Sequence, residues 1–402
     1  MVVPQLADSL LFLFSTLLDI LAVVRMRVAR EKELKTCIMD VLEVEGFETK
    51  RKRILGAVKS LEKFAGRVLY WMSRDQRVQG KVRRVRYSYS YNVADNWALV
   101  YSQKLALKHR VPLLVCFCLV TRFLDATIRQ FNFMLEGLKE VEKGLQQQRI
   151  SFCLLLGQAP ELVPSLVTQH QVSAVVCDFS PLRLPSLWVD GVTGSLDKLA
   201  VPLVQVDAHN VVPCWVTSDK QEYAARTIRG KITRQLSTYL VEFPVVTEHP
   251  HPLPGGLLPV DWEKAYSTLQ VDTSVPPVSW ATPGTKAGMR VLEEFCRKRL
   301  ALYDPKRNDP NEDALSNLSP WLHFGQVSAQ RAALSVRQAK TARNKASVEA
   351  FLEEAIVRRE LGDNFCLYNK NYDSIQGAPQ WARGTLRHHE GDEGEDLLRD
   401  RV

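Results

Sequence analysis

The chain has no cysteine pair at zinc-ligand spacing. Its eight cysteines are scattered over 402 residues, which excludes a zinc-finger class and reads as the reduced, mostly structural thiols of an intracellular protein. It has no Gly-x-Gly-x-x-Gly fingerprint, so no phosphate loop of that type can be assigned. The N-terminus lacks the basic opening and the small-residue cleavage site of a secretory signal. Leu6–Val24 is strongly apolar, but Asp8 and Asp19 interrupt it and make membrane insertion costly. Arg25, Arg27 and Arg30 follow, as in a signal-anchor. An amphipathic helix or a mis-assembled gene start is nevertheless preferred over a membrane span. His249 and His251 have no carboxylate or cysteine cluster beside them, so no metal site is expected.

What is present is ordinary in bulk. Apolar residues make up 46% and charged residues 24%, as in a soluble globular protein of two or three domains. The formal charge of +8 favours an acidic partner such as nucleic acid. Lys50–Arg53 is a basic tetrad, similar to a nuclear-import cluster or to a solvated face.

Arg67–Met72, Val111–Val120, Ile150–Leu156, Val172–Cys177 and Val201–Val206 are short and rich in Val, Leu and Ile. Between them Asn96–His109, Ala126–Gln148 and Pro160–His170 have helical spacing. Continuous apolar strands separated by helices predict a parallel sheet covered on both faces. The expected fold class is an α/β Rossmann-like parallel-sheet domain at 66–215, with an insert at 80–94, followed by an all-α domain at 286–386. Helical patterns there run over Val291–Tyr303, Pro320–Gln338 and Ala346–Phe365. The proline-rich stretch His249–Gly256 marks a linker, placed at 216–285. Residues 1–65 form an atypical extension, and 387–402, charged and short of apolar anchors, a disordered tail.

Residues 314–326 read Ala-Leu-Ser-Asn-Leu-Ser-Pro-Trp-Leu-His-Phe-Gly-Gln. Ser319 before Pro320 predicts a helix start, with the serine as N-cap and the proline at the first helical position. Such a start, flanked by Ser316, Asn317 and Ser319, suits a phosphate or diphosphate. The alternative is an ordinary capped helix.

This string resembles the flavin-phosphate loop of DNA photolyases, in the wording of the class II cyclobutane pyrimidine dimer photolyases. The resemblance extends over Val68–Arg77, Asp95–Leu99, Asp178–Arg183, Val206–Asn210, Thr227–Lys231, Glu353–Leu361, Asp363–Phe365 and Tyr368–Asp373. It departs at the basic, tyrosine-rich insert 80–94, read as a retained intron or gene-model error, and after Leu386, where the family pattern continues and this chain does not follow it.

The resemblance implies a helical domain, incomplete here, that binds reduced FAD. It also implies light-driven electron donation to a pyrimidine dimer in UV-damaged DNA, no metal, a monomer and a nuclear location. An antenna chromophore in the α/β domain is left unassigned. By the same resemblance Tyr303 touches the flavin phosphate region, and Ser316, Asn317, Leu318 and Ser319 form the phosphate loop. Arg358 lies near the flavin and Glu354 hydrogen-bonds the dimer, with Glu353 as competitor. Glu354 and Arg358 are four apart and share a helix face; the residues alone would read as a surface ion pair. Arg226, Arg229, Lys231 and Arg359 are candidate DNA contacts, acting on phosphates while weakened stacking selects the lesion. Two further readings are kept. One is a truncated, non-catalytic photolyase-like protein that binds DNA or a partner, and the other a flavin photosensor without repair.

Overall fold

Arg67–Met72 carries two alternating sets of apolar side chains, and both are buried. Val68, Tyr70 and Met72 enter one core; Leu69 and Trp71 enter another. A strand covered on both faces needs a layer on each side. The structure, a computed structural model, describes residues 38–392 apart from 59–63, 65, 79, 84–89, 94, 245 and 246. The strands are β1 (Lys52–Leu55), β2 (Arg67–Met72), β3 (Gly80–Arg83), β4 (Ser90–Val93), β5 (Leu113–Leu119), β6 (Ser151–Leu156), β7 (Val172–Asp178) and β8 (Leu203–Val206). Six of them form one sheet in the order β1-β8-β7-β2-β5-β6. β1 is antiparallel to β8 and the other neighbours are parallel. The parallel strands follow the doubly wound order, which reverses between β2 and β7. In such sheets the crevice at the carboxyl ends of those two strands is the usual ligand position.

The helices α1 (Trp97–His109) and α2 (Ile128–Gln147) cover one face, and α3 (Ala159–Gln169) and α4 (Arg183–Lys198) the other. The sequence reading missed α4 because Pro185, Gly191 and Gly194 dilute its pattern. Pro185 is tolerated because it falls in the first turn, where its missing N–H has no helical partner to lose.

The sheet also contains β1, which lies within the expected N-terminal extension. Lys50–Arg53 is not a solvated basic run. Arg51 is 1% exposed and donates to the carbonyls of Asp207, Asn210 and Val211 at 2.9, 3.1 and 2.7 Å. The rings of Trp97 and Tyr239 lie 5.1 Å from its guanidinium. A buried guanidinium must fill its donors, and these carbonyls do so.

Beyond the sheet come α5 (Cys214–Thr217), α6 (Ala225–Tyr239), α7 (Trp262–Ser267), α8 (Thr285–Glu294), α9 (Tyr303–Lys306), α10 (Ser319–His323), α11 (Ala329–Gln338), α12 (Lys345–Leu352), α13 (Arg359–Tyr368) and α14 (Gln380–His388). Two π-helical turns, Phe295–Arg299 and Glu353–Arg358, interrupt the expected long helices. The pattern over 320–338 is split at Gly325, whose φ is +63°. A Cβ there would lie 2.3 Å from the carbonyl oxygen of Arg74, so only glycine lets this turn approach the end of β2.

That approach helps staple the halves together. Arg77, buried, donates to Gly325 O and Ala208 O at 2.8 Å each and to Asp75 at 2.6 Å. Arg331 holds Asp95 through Nε and Nη2, at 3.0 and 2.8 Å. Arg74 holds Asp363 bidentately at 2.8 and 2.9 Å.

Of the insert, β3 and β4 pair as an antiparallel ribbon, and 84–89 lie outside the described residues, as do Leu6–Val24 and the tail from 393. The seven cysteines among the described residues are free thiols. Among the described residues no helix is long and apolar enough to cross a membrane, and no cluster of His, Cys, Asp and Glu is placed to hold a metal ion.

Candidate functional site

Glu353–Arg358 is π-helical, and this changes the pairing expected from spacing. On an α-helix Glu354 would meet Arg358. The wider π turn brings residues five apart together, and Arg358 Nε lies 3.5 Å from Glu353. Glu354 instead accepts from Arg307 Nη1 at 3.2 Å. The Arg307 guanidinium also lies 5.6 Å from the Tyr303 ring. Tyr303 is buried in one cluster with Phe295, Phe351, Val348 and Leu318. Burial raises its phenol above the ordinary value, against a smaller opposing effect of Arg307, so the hydroxyl remains a donor. Tyr303, Leu318 and Glu354 are thus brought to one region. Arg307 joins them, and the sequence reading missed it. The available signal was its place one helical turn after Tyr303.

The 316–319 loop differs from its expectation in one respect. Ser319 is the first residue of α10 and Pro320 the second; Leu318 is the cap, and no side chain caps the helix. Five residues are too few for an appreciable macrodipole. What distinguishes the loop is instead its backbone. Asn317 has φ +58° and Leu318 is right-handed, at φ −83° and ψ −7°. Successive left- and right-handed residues turn consecutive N–H groups toward one point, a nest. Ser316 is half-buried, and Asn317 and Ser319 are exposed around it, while the Leu318 side chain is core.

The cationic candidates are committed to different degrees. Arg226 is exposed on α6. Arg229, one turn on, grips Glu353 at 3.0 and 2.6 Å. Lys231 is paired with Glu222 at 2.5 Å and with Ser218 at 2.9 Å. Arg359 donates to His209 O at 2.8 Å and to Ala355 O at 3.1 Å, so it braces the two halves.

The crevice at the sheet's switch point is filled by the protein's own polar groups. Asp178 accepts from the Tyr70 hydroxyl at 2.7 Å and from the N–H groups of Ser73, Arg74 and Asp75 at 2.8, 3.0 and 3.2 Å. Burial, then repulsion from Asp75, raises its carboxyl. Burial would raise Asp75 too, but Arg77 and His209 outweigh it and hold that carboxyl well below the usual range. Asn210 joins Asp363 at 3.0 Å.

The chain is similar to known proteins in sequence and in fold. The family model described as DNA photolyase matches residues 91–252. The chain is 50% identical over 365 residues to the deoxyribodipyrimidine photo-lyase of Potorous tridactylus, covering 91% of this chain and 65% of the relative. It is 44% identical over 359 residues to that of Arabidopsis thaliana, covering 86% and 68%. It thus spans about two thirds of the length of these curated relatives. A Synechocystis cryptochrome structure shares the fold with a TM-score of 0.59 at 16% identity, covering 82% of this chain and 69% of the other. An archaeal photolyase from Sulfolobus tokodaii, solved with two FAD molecules, does so with a TM-score of 0.53 at 14% identity, covering 80% and 66%.

Proposed function

This chain belongs to the DNA photolyase family, and we propose from that premise that its helical half carries the diphosphate and lesion side of a flavin-dependent pyrimidine-dimer repair site of class II type. The observation that carries the reading is the nest at Asn317 and Leu318, set beside Tyr303 and the Arg307–Glu354 pair. Its donors suit the diphosphate of FAD. Ser316, Asn317 and Ser319 would hold that group through hydroxyls and backbone N–H groups, with the Tyr303 hydroxyl as a further donor; Arg358, expected near the flavin, is engaged with Glu353 on the exposed turn and is assigned instead to the DNA side. Bound and reduced, the dinucleotide supplies light-driven one-electron donation with no net redox change.

Glu354, exposed in the π turn that follows α12, would present its carboxyl to a carbonyl of the flipped-out dimer. Arg307 keeps that carboxylate aimed while the site is empty of DNA. Arg226, Arg229, Lys231 and Arg359 would meet the phosphate backbone, the middle two only by leaving their present partners. Nuclear action belongs to the same proposal because DNA is the substrate. The tetrad at 50–53 lends it no support, since Arg51 and Lys52 are buried.

One observation favours the non-catalytic reading. No residue of α14 is buried, and Trp381 is 75% exposed, so this side of the helical half is open. Flavin titration of the purified chain separates the readings. The expected result is saturable FAD binding, weakened at least tenfold by Ser319→Asp, which sets a carboxylate against the diphosphate. Binding unaffected by S319D would remove the nest from the site, and a chain that refuses FAD altogether supports the non-catalytic reading. Blue-light repair of a dimer-containing oligonucleotide then distinguishes an enzyme from a sensor.

A further inference from the structure

Three arginines and two glutamates meet at the π turn. Glu353 lies between two guanidinium groups: Arg229 holds it bidentately at 3.0 and 2.6 Å, and Arg358 Nε is 3.5 Å away. The neighbouring Glu354 takes Arg307 at 3.2 Å. The Arg229 and Arg358 side chains are each about half exposed, at 47% and 55%, and Glu353 less so, at 24%. A buried structural pair would be closed over; this carboxylate sits under the rim with its cations facing out.

A carboxylate and a phosphodiester make the same demand on arginine, since both accept the planar two-donor fork. Two arginines converging on one oxyanion form a fit receptor for a backbone phosphate, and in this structure the oxyanion is the protein's own. The π turn makes this possible. In an α-helix Glu353 and Arg358 would lie on different faces, and Arg229 would have the carboxylate alone.

We infer that Glu353 is an internal surrogate for a DNA phosphate: it holds Arg229 and Arg358 in register and is displaced when a phosphodiester enters between them. The inference rests on the DNA reading above and adds its regulation. The surrogate lowers affinity for any DNA and leaves discrimination to contacts with the flipped lesion. An exposed pair is a weak competitor, so displacement is easy and the expected effect is several-fold.

The test uses the whole chain and an undamaged, fluorescently labelled duplex, with anisotropy followed across a potassium chloride series. Glu353→Gln removes the competing charge while keeping the side chain's shape. It is expected to tighten binding several-fold at low salt and to steepen the fall of affinity with salt, because the wild-type chain must first break an internal ion pair that salt itself weakens, and the variant need not. A general gain from deleting any negative charge would be independent of Arg229. The same substitution is therefore measured in an Arg229→Gln background, where the gain is expected to disappear. An equal gain in both backgrounds, or no gain in either, overturns the surrogate role while leaving DNA binding intact. Failure of every variant, E353Q included, to bind at any salt concentration overturns this inference and the DNA reading together.

Discussion

Two clusters of charge in this chain are built oppositely. In the first, Arg77, Asp75, Arg74, Asp363 and His209 are enclosed between the α/β and helical halves, and Arg77 and Asp75 are both buried. In the second, Arg229, Glu353, Arg358, Glu354 and Arg307 decorate an exposed π turn. The guanidinium donors of the first are committed to backbone carbonyls and to the cluster's own carboxylates, so it serves as a joint between the halves. The second keeps donors in water, where partners exchange at small cost. Buried charge therefore fixes the relative placement of the halves, and half-exposed charge is left to recognise something else.

The sharpest way to break this contrast is Arg77→Met. It leaves the buried Asp75 carboxylate with His209 as its remaining side-chain partner, at 3.2 Å, and the carbonyls of Ala208 and Gly325 without their donor. Removing one partner of a buried pair costs about 3–5 kcal/mol. Denaturant unfolding should show a loss of that order, with part of it returned by Asp75→Asn in the same chain. A loss below about 1 kcal/mol would place Arg77 with ordinary surface pairs and end the distinction.

A second, smaller effect sharpens the contrast through pH. Glu360 on α13 is buried at the same interface and accepts from the N–H of Val211 at 2.6 Å and of Val212 at 3.3 Å. Burial pushes its carboxyl up to about 8, against the smaller opposing effect of Arg359. A raised carboxyl means that the folded chain holds a proton the unfolded chain has released. Stability from this group is complete below the ordinary carboxylate range and falls as pH rises toward 8, by at most about 1.4 kcal/mol per pH unit for one proton. Glu360→Gln keeps the acceptor for Val211 and should flatten stability between about pH 5 and 8. An unchanged slope in the variant would show that Glu360 is ionised at neutral pH.

What the sequence made legible follows this division. The strands were readable because β2, β5 and β7 are apolar on both faces and give continuous runs. β1 was not, because Lys52 and Arg53 disguise it and its pairing with β8 is non-local. Tyr303 and the 316–319 loop entered as candidates only through a family resemblance, and Arg307 could have been found by spacing from Tyr303. The pairing at Glu353 was not legible. Spacing four suggests Glu354 with Arg358 only if the helix is α, and no local signal announces the extra residue of a π turn. The buried joint was also hidden, since its members lie far apart in the chain, as Arg74 and Asp363 do.

The smallest effect tests the exposed side of the contrast. Arg307→Gln removes the partner of Glu354 and the cation beside the Tyr303 ring. Glu354 remains in water, so no buried charge is stranded. The expected loss of stability is below about 1 kcal/mol, and it should shrink further in high salt because exposed pairs are screened. Unfolding curves at low and high potassium chloride would measure it. A salt-independent loss of several kcal/mol would mean that the Arg307–Glu354 pair belongs with the buried joint, and the π turn would then be a second interdomain brace rather than a surface open to exchange.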